Sequence, residues 1–155
     1  MRMVRTADAD LHGPAPRDWT DRIPNARALQ GRRVLVVEDE VFVSLDVAFT
    51  LEVAGAEVVG ATSVRAALAA LAETDATGPP FDIALLDLVL GTRSTEPVAD
   101  ALRGRGIPFV IYTGNAVSRG DLIRRLGAPV VSKPILPEMV AAVLATHLEC
   151  DRGWA

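Results

Sequence analysis

Five residues that could carry out chemistry each stand at the end of a short apolar run, where a buried strand would deliver them to the surface. They are Glu38, Asp39, Asp87, Thr113 and Lys133. Three carboxylates held within a few ångströms repel one another and raise their own pKa values, so such a cluster requires a cation. Hard oxygen ligands favour Mg²⁺, which binds one or two carboxylates directly and keeps several waters. The same cation would let a phosphoryl group approach an otherwise repulsive acidic site.

Lys133 is a compositional exception. The chain has 16 basic residues, and Lys133 is its only lysine, the others being arginines. An ammonium is compact and sits on a flexible stem, whereas a guanidinium presents a rigid planar fork. Because arginine serves everywhere else, we expect this lysine to have a specific role beside the carboxylates.

Strands and helices alternate from Arg33 to the end of the chain. The run Val34 to Val37 is typical of a strand buried on both faces. Four more strands are predicted, at Glu57–Ala61, Ile83–Leu86, Pro108–Tyr112 and Val130–Val131. Five strands alternating with about five helices predict an α/β fold with an open, doubly wound parallel sheet. In such sheets the site lies outside the carboxyl ends of the strands, where the five residues above would meet.

Two of the predicted helices have clear apolar stripes. In the first, the stripe falls at i, i+3, i+7 and i+11, with polar residues opposite, which is the pattern of a helix that packs its stripe against a sheet. Its members are Phe42, Leu45, Phe49 and Val53. The last helix has apolar residues at helical spacing from Leu136 to His147.

The composition of the chain indicates its domain bounds, its cellular location and the partners that it does not bind. Residues 1–30 mix Arg, Asp, Ala and Pro without periodicity and are predicted to be a flexible extension, followed by a domain over 31–150 and a tail over 151–155. No secretory segment or membrane span is evident, and the single Cys150 excludes an internal disulfide or a cysteine zinc site. These features predict a cytoplasmic protein. A net charge of −4 without a basic stripe argues against nucleic acid as a partner.

Glu38-Asp39-Glu40 after the first strand also argues against nucleotide or flavin binding. Such sites need glycines there, whose backbone N–H groups face a phosphate. The first loop is therefore expected to hold a cation rather than an anion, and no organic cofactor is predicted.

Four motifs in order resemble the receiver domain of two-component response regulators, the CheY-like family, over about Arg32 to Glu149. They are VLVVEDE at 34–40, LLDLVLG at 85–91, VIYTG at 110–114 and SKP at 132–134. The resemblance implies a (βα)5 fold with flavodoxin-like strand order 2-1-3-4-5.

The same resemblance implies a role for each site residue. Asp87 would be the phosphoacceptor, taking a phosphoryl group from the phosphohistidine of a histidine kinase or a histidine phosphotransfer protein. Thr113 would hydrogen-bond a phosphoryl oxygen, and Lys133 would pair with the phosphoryl group and, before that, with Asp87. The implied Mg²⁺ ligands are Glu38 (mainly through water), Asp39, Asp87 and the backbone carbonyl of Val89.

One departure concerns the switch. Receivers usually carry Tyr or Phe three residues before the lysine, and this chain has Val130 there. Thr113-Gly114 resembles a Thr-Gly motif (FATGUY-type) subfamily, common in alphaproteobacteria, that lacks this aromatic and is often paired with kinases of the HWE or HisKA2 class. Gly114 and Gly120 are then expected to let the segment 114–127 reorganise instead.

A second departure is that only residues 151–155 follow the last predicted helix. We therefore expect a stand-alone receiver, not an enzyme, that docks onto an unknown downstream protein or acts as a phosphate sink. Two alternatives stay open. A small phosphatase with an aspartyl nucleophile would need a second Asp at the place of Val89. A phosphate-independent interaction domain would normally have lost an acid, the Thr or the Lys.

Overall fold

The computed structural model describes residues 27–114 and 116–152. Along this part of the chain the elements are β1 (Arg33–Val37), α1 (Val41–Val53), β2 (Glu57–Ala61), α2 (Val64–Thr77), β3 (Ile83–Leu86), β4 (Val89–Leu90), β5 (Arg93–Ser94), α3 (Glu96–Gly104), β6 (Phe109–Thr113), α4 (Gly120–Leu126), β7 (Val130–Ser132) and α5 (Pro137–Arg152). Strands and helices therefore alternate as the sequence predicts, with one additional pair of short strands.

The main sheet has five parallel strands in the order β2-β1-β3-β6-β7. This confirms the predicted α/β class and the order 2-1-3-4-5, with β6 and β7 as the fourth and fifth strands of the sheet. The segment from Leu88 to Thr95, which follows the third strand of the sheet, contains the antiparallel hairpin of β4 and β5. Gly91 makes the hairpin turn possible, because its φ of 61° is a conformation that glycine adopts without steric cost.

The core has two halves, one on each face of the sheet. Alternate residues of β1 enter opposite halves, with Val34 and Val36 on the α1 and α5 side and Leu35 and Val37 on the α2 and α3 side. All four of these side chains are buried. This confirms that β1 is covered on both faces.

The predicted buried stripe of α1 is wrong. Phe42 is 84% exposed, and Leu45 and Phe49 are also exposed, whereas Val47 and Leu51 are buried against the sheet. The physical reason is that α1 is apolar on nearly all sides, so helical spacing alone defines two stripes and cannot choose between them. The stripe with the larger side chains faces outward.

Residues near both ends of the domain pack differently from the sequence prediction. Leu29, assigned to the flexible extension, is fully buried, and its N–H donates to the carbonyl of Ala54 at 3.0 Å. The turn that contains Leu29 and Gln30 also lies close to Gly55. A Cβ atom added to Gly55 would come within 2.8 Å of the Gln30 Cα. The rest of the predicted extension, residues 1–26, lies outside the described residues. At the other end α5 continues to Arg152, two residues into the predicted tail.

Within the described ranges, no helix is both long enough and apolar enough to cross a membrane. Several large apolar residues are exposed near the starts of α1 and α5. They include Val41 and Phe42 at the start of α1 and Leu136 and Met139 around the start of α5.

The assignment of the α1 faces predicts that two substitutions on this helix change the free energy of unfolding by very different amounts. Leu51→Ala should lower the free energy of unfolding by about 2–5 kcal/mol, because it leaves a cavity in the core. Phe49→Ala should change it by no more than about 0.5 kcal/mol, since the ring is in solvent. Urea unfolding followed by circular dichroism measures both, and equal losses would contradict the assignment.

Candidate functional site

The strands of the sheet deliver the site residues through hydrogen bonds that continue past the strand ends. Backbone N–H groups of site residues donate to carbonyls at the ends of neighbouring strands. These bonds join Glu38 to Ala61 (3.0 Å), Asp87 to Val37 (3.0 Å) and Lys133 to Thr113 (2.9 Å). Each acidic or basic side chain therefore starts from backbone that is still fixed by the sheet, as the sequence predicts for this edge.

The centre of the site is the ammonium of Lys133, held between two carboxylates. Its Nζ donates to Oδ2 of Asp87 at 3.0 Å and also hydrogen-bonds Oε2 of Glu38. All three side chains are largely buried. A charged group in such a place is stable only when it is paired, and removing one partner leaves the other charges uncompensated. The structure thus brings together the lysine and two of the predicted acids.

Burial and pairing act on these groups with different results. Burial of the Glu38 carboxyl raises its pKa, and this effect exceeds the opposing hydrogen bonds from Lys133 and from the N–H of Glu40. For Lys133 burial favours the neutral form, but hydrogen bonds and charge attraction from Glu38 and Asp87 prevail and raise its pKa. The lysine therefore stays protonated at neutral pH.

Asp39 lies at the exposed side of the same cluster. Its Oδ2 accepts a hydrogen bond of 2.7 Å from the N–H of Gly91, at the tip of the hairpin. One carboxylate oxygen from each of Glu38, Asp39 and Asp87 lies within 4.8 Å of the others. Three hard oxygen donors at this spacing, with one side open to water, fit a divalent cation such as Mg²⁺.

Thr95 is a site residue that the sequence analysis missed. Its side chain is fully buried, and its hydroxyl donates to the backbone carbonyl of Asp87 at 2.6 Å. Its own N–H donates to the carbonyl of Leu88 at 3.0 Å. These bonds fix the backbone on which the Asp87 carboxylate stands. A threonine just before a helix is ordinarily a helix cap, but the Thr95 side chain makes no capping hydrogen bond to α3. The sequence therefore carried no signal of its contact with Asp87.

The remaining predicted residues lie near the cluster. Thr113 is the last residue of β6 and is buried. Val89 opens the hairpin two residues after Asp87. Val130 opens β7 and packs, partly buried, against the α2 and α3 side of the core. The hydroxyl of Thr113 as a phosphoryl ligand and the carbonyl of Val89 as a metal ligand stay predictions.

No protein-family model matches the chain, and the comparison with curated proteins found no relative. Solved structures do resemble it. A CheY-like receiver domain protein from Methanospirillum hungatei is 23% identical, with a TM-score of 0.68 over 80% of this chain and 98% of that one. A receiver domain protein from Clostridium thermocellum is 20% identical, with a TM-score of 0.68 over 80% and 99% of the two chains.

A third similar structure belongs to streptococcal redox sensors described as having evolved from two-component response regulators. It is 19% identical, with a TM-score of 0.66 over 79% of this chain and 53% of that one. These likenesses show that the chain has the fold of response regulator receiver domains. Since that fold also occurs in a redox sensor, the chemistry of this chain has to be argued from its own side chains.

The raised pKa of Glu38 predicts that Mg²⁺ binding weakens with acidity. In the folded protein Glu38 keeps its proton to a higher pH than an ordinary glutamate, and a cation must displace that proton. Below this pKa, affinity should fall by up to about tenfold per pH unit for each proton displaced. Isothermal titration with Mg²⁺ between acidic and neutral pH measures this. Glu38→Gln should make the dependence shallower, and an equally steep profile in that variant would contradict the prediction.

Proposed function

We propose that the chain is a receiver that accepts a phosphoryl group on Asp87 in two-component signalling. The observation that carries this proposal is the buried ammonium of Lys133, bonded to Asp87 and Glu38, whose carboxylates also form a cluster with that of Asp39. Lys133 holds the Asp87 carboxylate in place before the reaction and can turn to a phosphoryl oxygen after it. An acidic cluster with one buried lysine is suited to a ligand that is itself strongly anionic and arrives with a cation.

In the proposed reaction an Asp87 carboxylate oxygen attacks the phosphorus of a phosphohistidine. A new O–P bond forms, the N–P bond breaks, and the imidazole leaves with the electron pair of that bond. The product is an acyl phosphate. Lys133 then neutralises one phosphoryl oxygen, and the Thr113 hydroxyl donates to another. Attack by water on the phosphorus would later return Asp87 to its free carboxylate.

The residues that would hold Mg²⁺ are Glu38, Asp39 and Asp87, with the Val89 carbonyl. When bound, the cation supplies positive charge against the phosphoryl oxygens. The buried Lys133 lies on the Glu38 and Asp87 side, whereas Asp39 is on the open side with the hairpin. Asp39 would therefore hold the cation from the open side of the cluster, whereas Lys133 supplies its positive charge from the buried side.

The phosphodonor is proposed to dock on the outer face of α1. This helix begins one residue after Glu40, so any protein that brings a phosphohistidine to Asp87 passes over its first turns. Val41, Phe42 and Leu45 are exposed there, and an exposed group of large apolar side chains is typical of a protein interaction surface. A helical histidine kinase or histidine phosphotransfer protein could bury this stripe.

Two finer assignments are part of the proposal. Thr113-Gly114 and the absence of an aromatic at Val130 favour a kinase of the HWE or HisKA2 class. The receiver, which we place in the cytoplasm, would then signal by docking onto a downstream protein or drain phosphate from a relay. Phosphotransfer profiling against the histidine kinases of the source organism identifies the donor.

The Asp87→Asn substitution tests the phosphoacceptor directly. Asn is nearly isosteric and can still accept a hydrogen bond from Lys133, so the fold should remain, but an amide oxygen cannot form the acyl phosphate. With radiolabelled acetyl phosphate and Mg²⁺, the unchanged chain should take up about one phosphoryl group and the variant none. Asp100→Asn, on the exposed side of α3, is the matched control and should label normally. Labelling of Asp87→Asn would exclude the proposal, and turnover of a free phosphomonoester would favour a phosphatase.

If the donor docks on α1, a substitution on this face should slow phosphotransfer from a protein donor but not from a small-molecule donor. Phe42→Ser should slow phosphotransfer from the histidine kinase by about tenfold, because an exposed ring at the centre of an interface carries much of the binding energy. The same variant should label normally with acetyl phosphate, which needs no docking. Val117→Ser removes an exposed apolar side chain between β6 and α4 and is the control. Unchanged kinase transfer in Phe42→Ser would contradict the assignment of this face.

A further inference from the structure

Tyr112 is the only tyrosine of the chain, and the proposed reaction does not use it. It stands on β6 directly before Thr113 and is 6% exposed. Its ring belongs to the core half beneath α1 and α5, opposite to the half that Val130 joins. The Nζ atom of Lys133 lies 5.0 Å from the centre of this ring. An ammonium at that distance over an aromatic face is attracted by the negative charge of the ring face.

The surroundings of Lys133 show why such a contact matters. The carboxylates of Glu38 and Asp87 accept hydrogen bonds from the Lys133 ammonium. The ring of Tyr112 is the third neighbour and provides an attractive surface without a further negative charge. An aliphatic residue could fill this part of the core, as Val110 does on the same face of the strand, but it would not attract the ammonium.

The ring also borders a cleft next to the site. This cleft has a volume of about 390 Å³ and lies between the first turns of α1 and the segment that follows β7. Its apolar walls include Val43, Val47, Ile135 and Pro137, and both Tyr112 and Lys133 line it. A movement of the lysine therefore changes a wall of this cleft, next to the exposed face of α1.

We propose that Tyr112 is a positioning residue that holds the ammonium of Lys133 between Glu38 and Asp87 through its ring face. The inference rests on the proposed function in one respect, because a phosphoryl group on Asp87 would draw the ammonium away from the ring. Loss of this contact would then report phosphorylation to the cleft beside α1. In this chain the aromatic side chain coupled to the site lies on β6, on the opposite face from the position where Val130 replaces the usual aromatic.

The single lysine makes the contact directly measurable. When the full chain is labelled with ¹³C- and ¹⁵N-lysine, only Lys133 gives side-chain signals, so no assignment is needed. The ring current of Tyr112 should shift the terminal CH₂ protons of Lys133 upfield. Tyr112→Phe keeps the ring face and should keep the shift, whereas Tyr112→Leu should lose it. Phe109→Leu removes another buried ring of β6, one that faces Arg103, and should leave the lysine signals unchanged.

The functional measurement uses acetyl phosphate as the donor. Tyr112→Leu should lower the rate of phosphorylation of Asp87 by about fivefold, while Tyr112→Phe and Phe109→Leu stay within about twofold of the unchanged chain. Adding beryllofluoride with Mg²⁺, as a mimic of the phosphoryl group, should move the Lys133 signals towards those of Tyr112→Leu.

Several results would overturn the inference. One is an unshifted Lys133 signal in the unchanged chain and in Tyr112→Phe, which does not depend on whether Tyr112→Leu folds. Another is a rate in Tyr112→Leu equal to that in Phe109→Leu. Failure of the proposed function looks different, because the unchanged chain would then take up no phosphoryl group although its lysine signal still responds to Tyr112→Leu.

Discussion

The ammonium of Lys133 lies buried between the carboxylates of Glu38 and Asp87, and the geometry of the site follows from this pairing. Three charged groups are removed from most of their water, which is possible only if each remains paired. The pairing requires β1, β3 and β7 to end at the same level of the sheet, although their site residues are far apart in sequence. The apolar core on both faces of the sheet supplies the stability that offsets this arrangement.

Around this network, secondary contacts fix the parts of the site that face solvent. Thr95 ties the backbone of Asp87, and Gly91 ties the side chain of Asp39, so the hairpin acts as a rigid border of the cluster. Tyr112 covers the ammonium from below the sheet edge. The outer face of α1 carries large apolar side chains that are exposed to solvent. In the proposed function, chemistry and recognition would be carried by different residues that meet at the first turn of α1.

The sequence predicted the sheet and the position of the acidic cluster because both follow from strong local signals. A continuous apolar run such as Val34 to Val37 can be satisfied only in a central strand, and the topology of parallel sheets then places Asp87 and Lys133 at one edge. The face of α1 could not be predicted in the same way, because two apolar stripes compete and only tertiary packing selects Leu51 over Phe49. The roles of Thr95 and Tyr112 depend on single side-chain contacts between distant segments, which no periodic pattern records.

If Asp87, held by Lys133, is the residue that becomes phosphorylated, the acyl phosphate can be located in the chain by chemical reduction. Borohydride reduces an acyl phosphate to an alcohol and so converts a phosphorylated aspartate to homoserine, which peptide mass spectrometry can locate. After phosphorylation by the histidine kinase and treatment with borohydride, we predict homoserine at position 87 alone. Homoserine at position 39 or at another carboxylate, or an unreduced Asp87 in a chain that carries the phosphoryl group, would contradict the account.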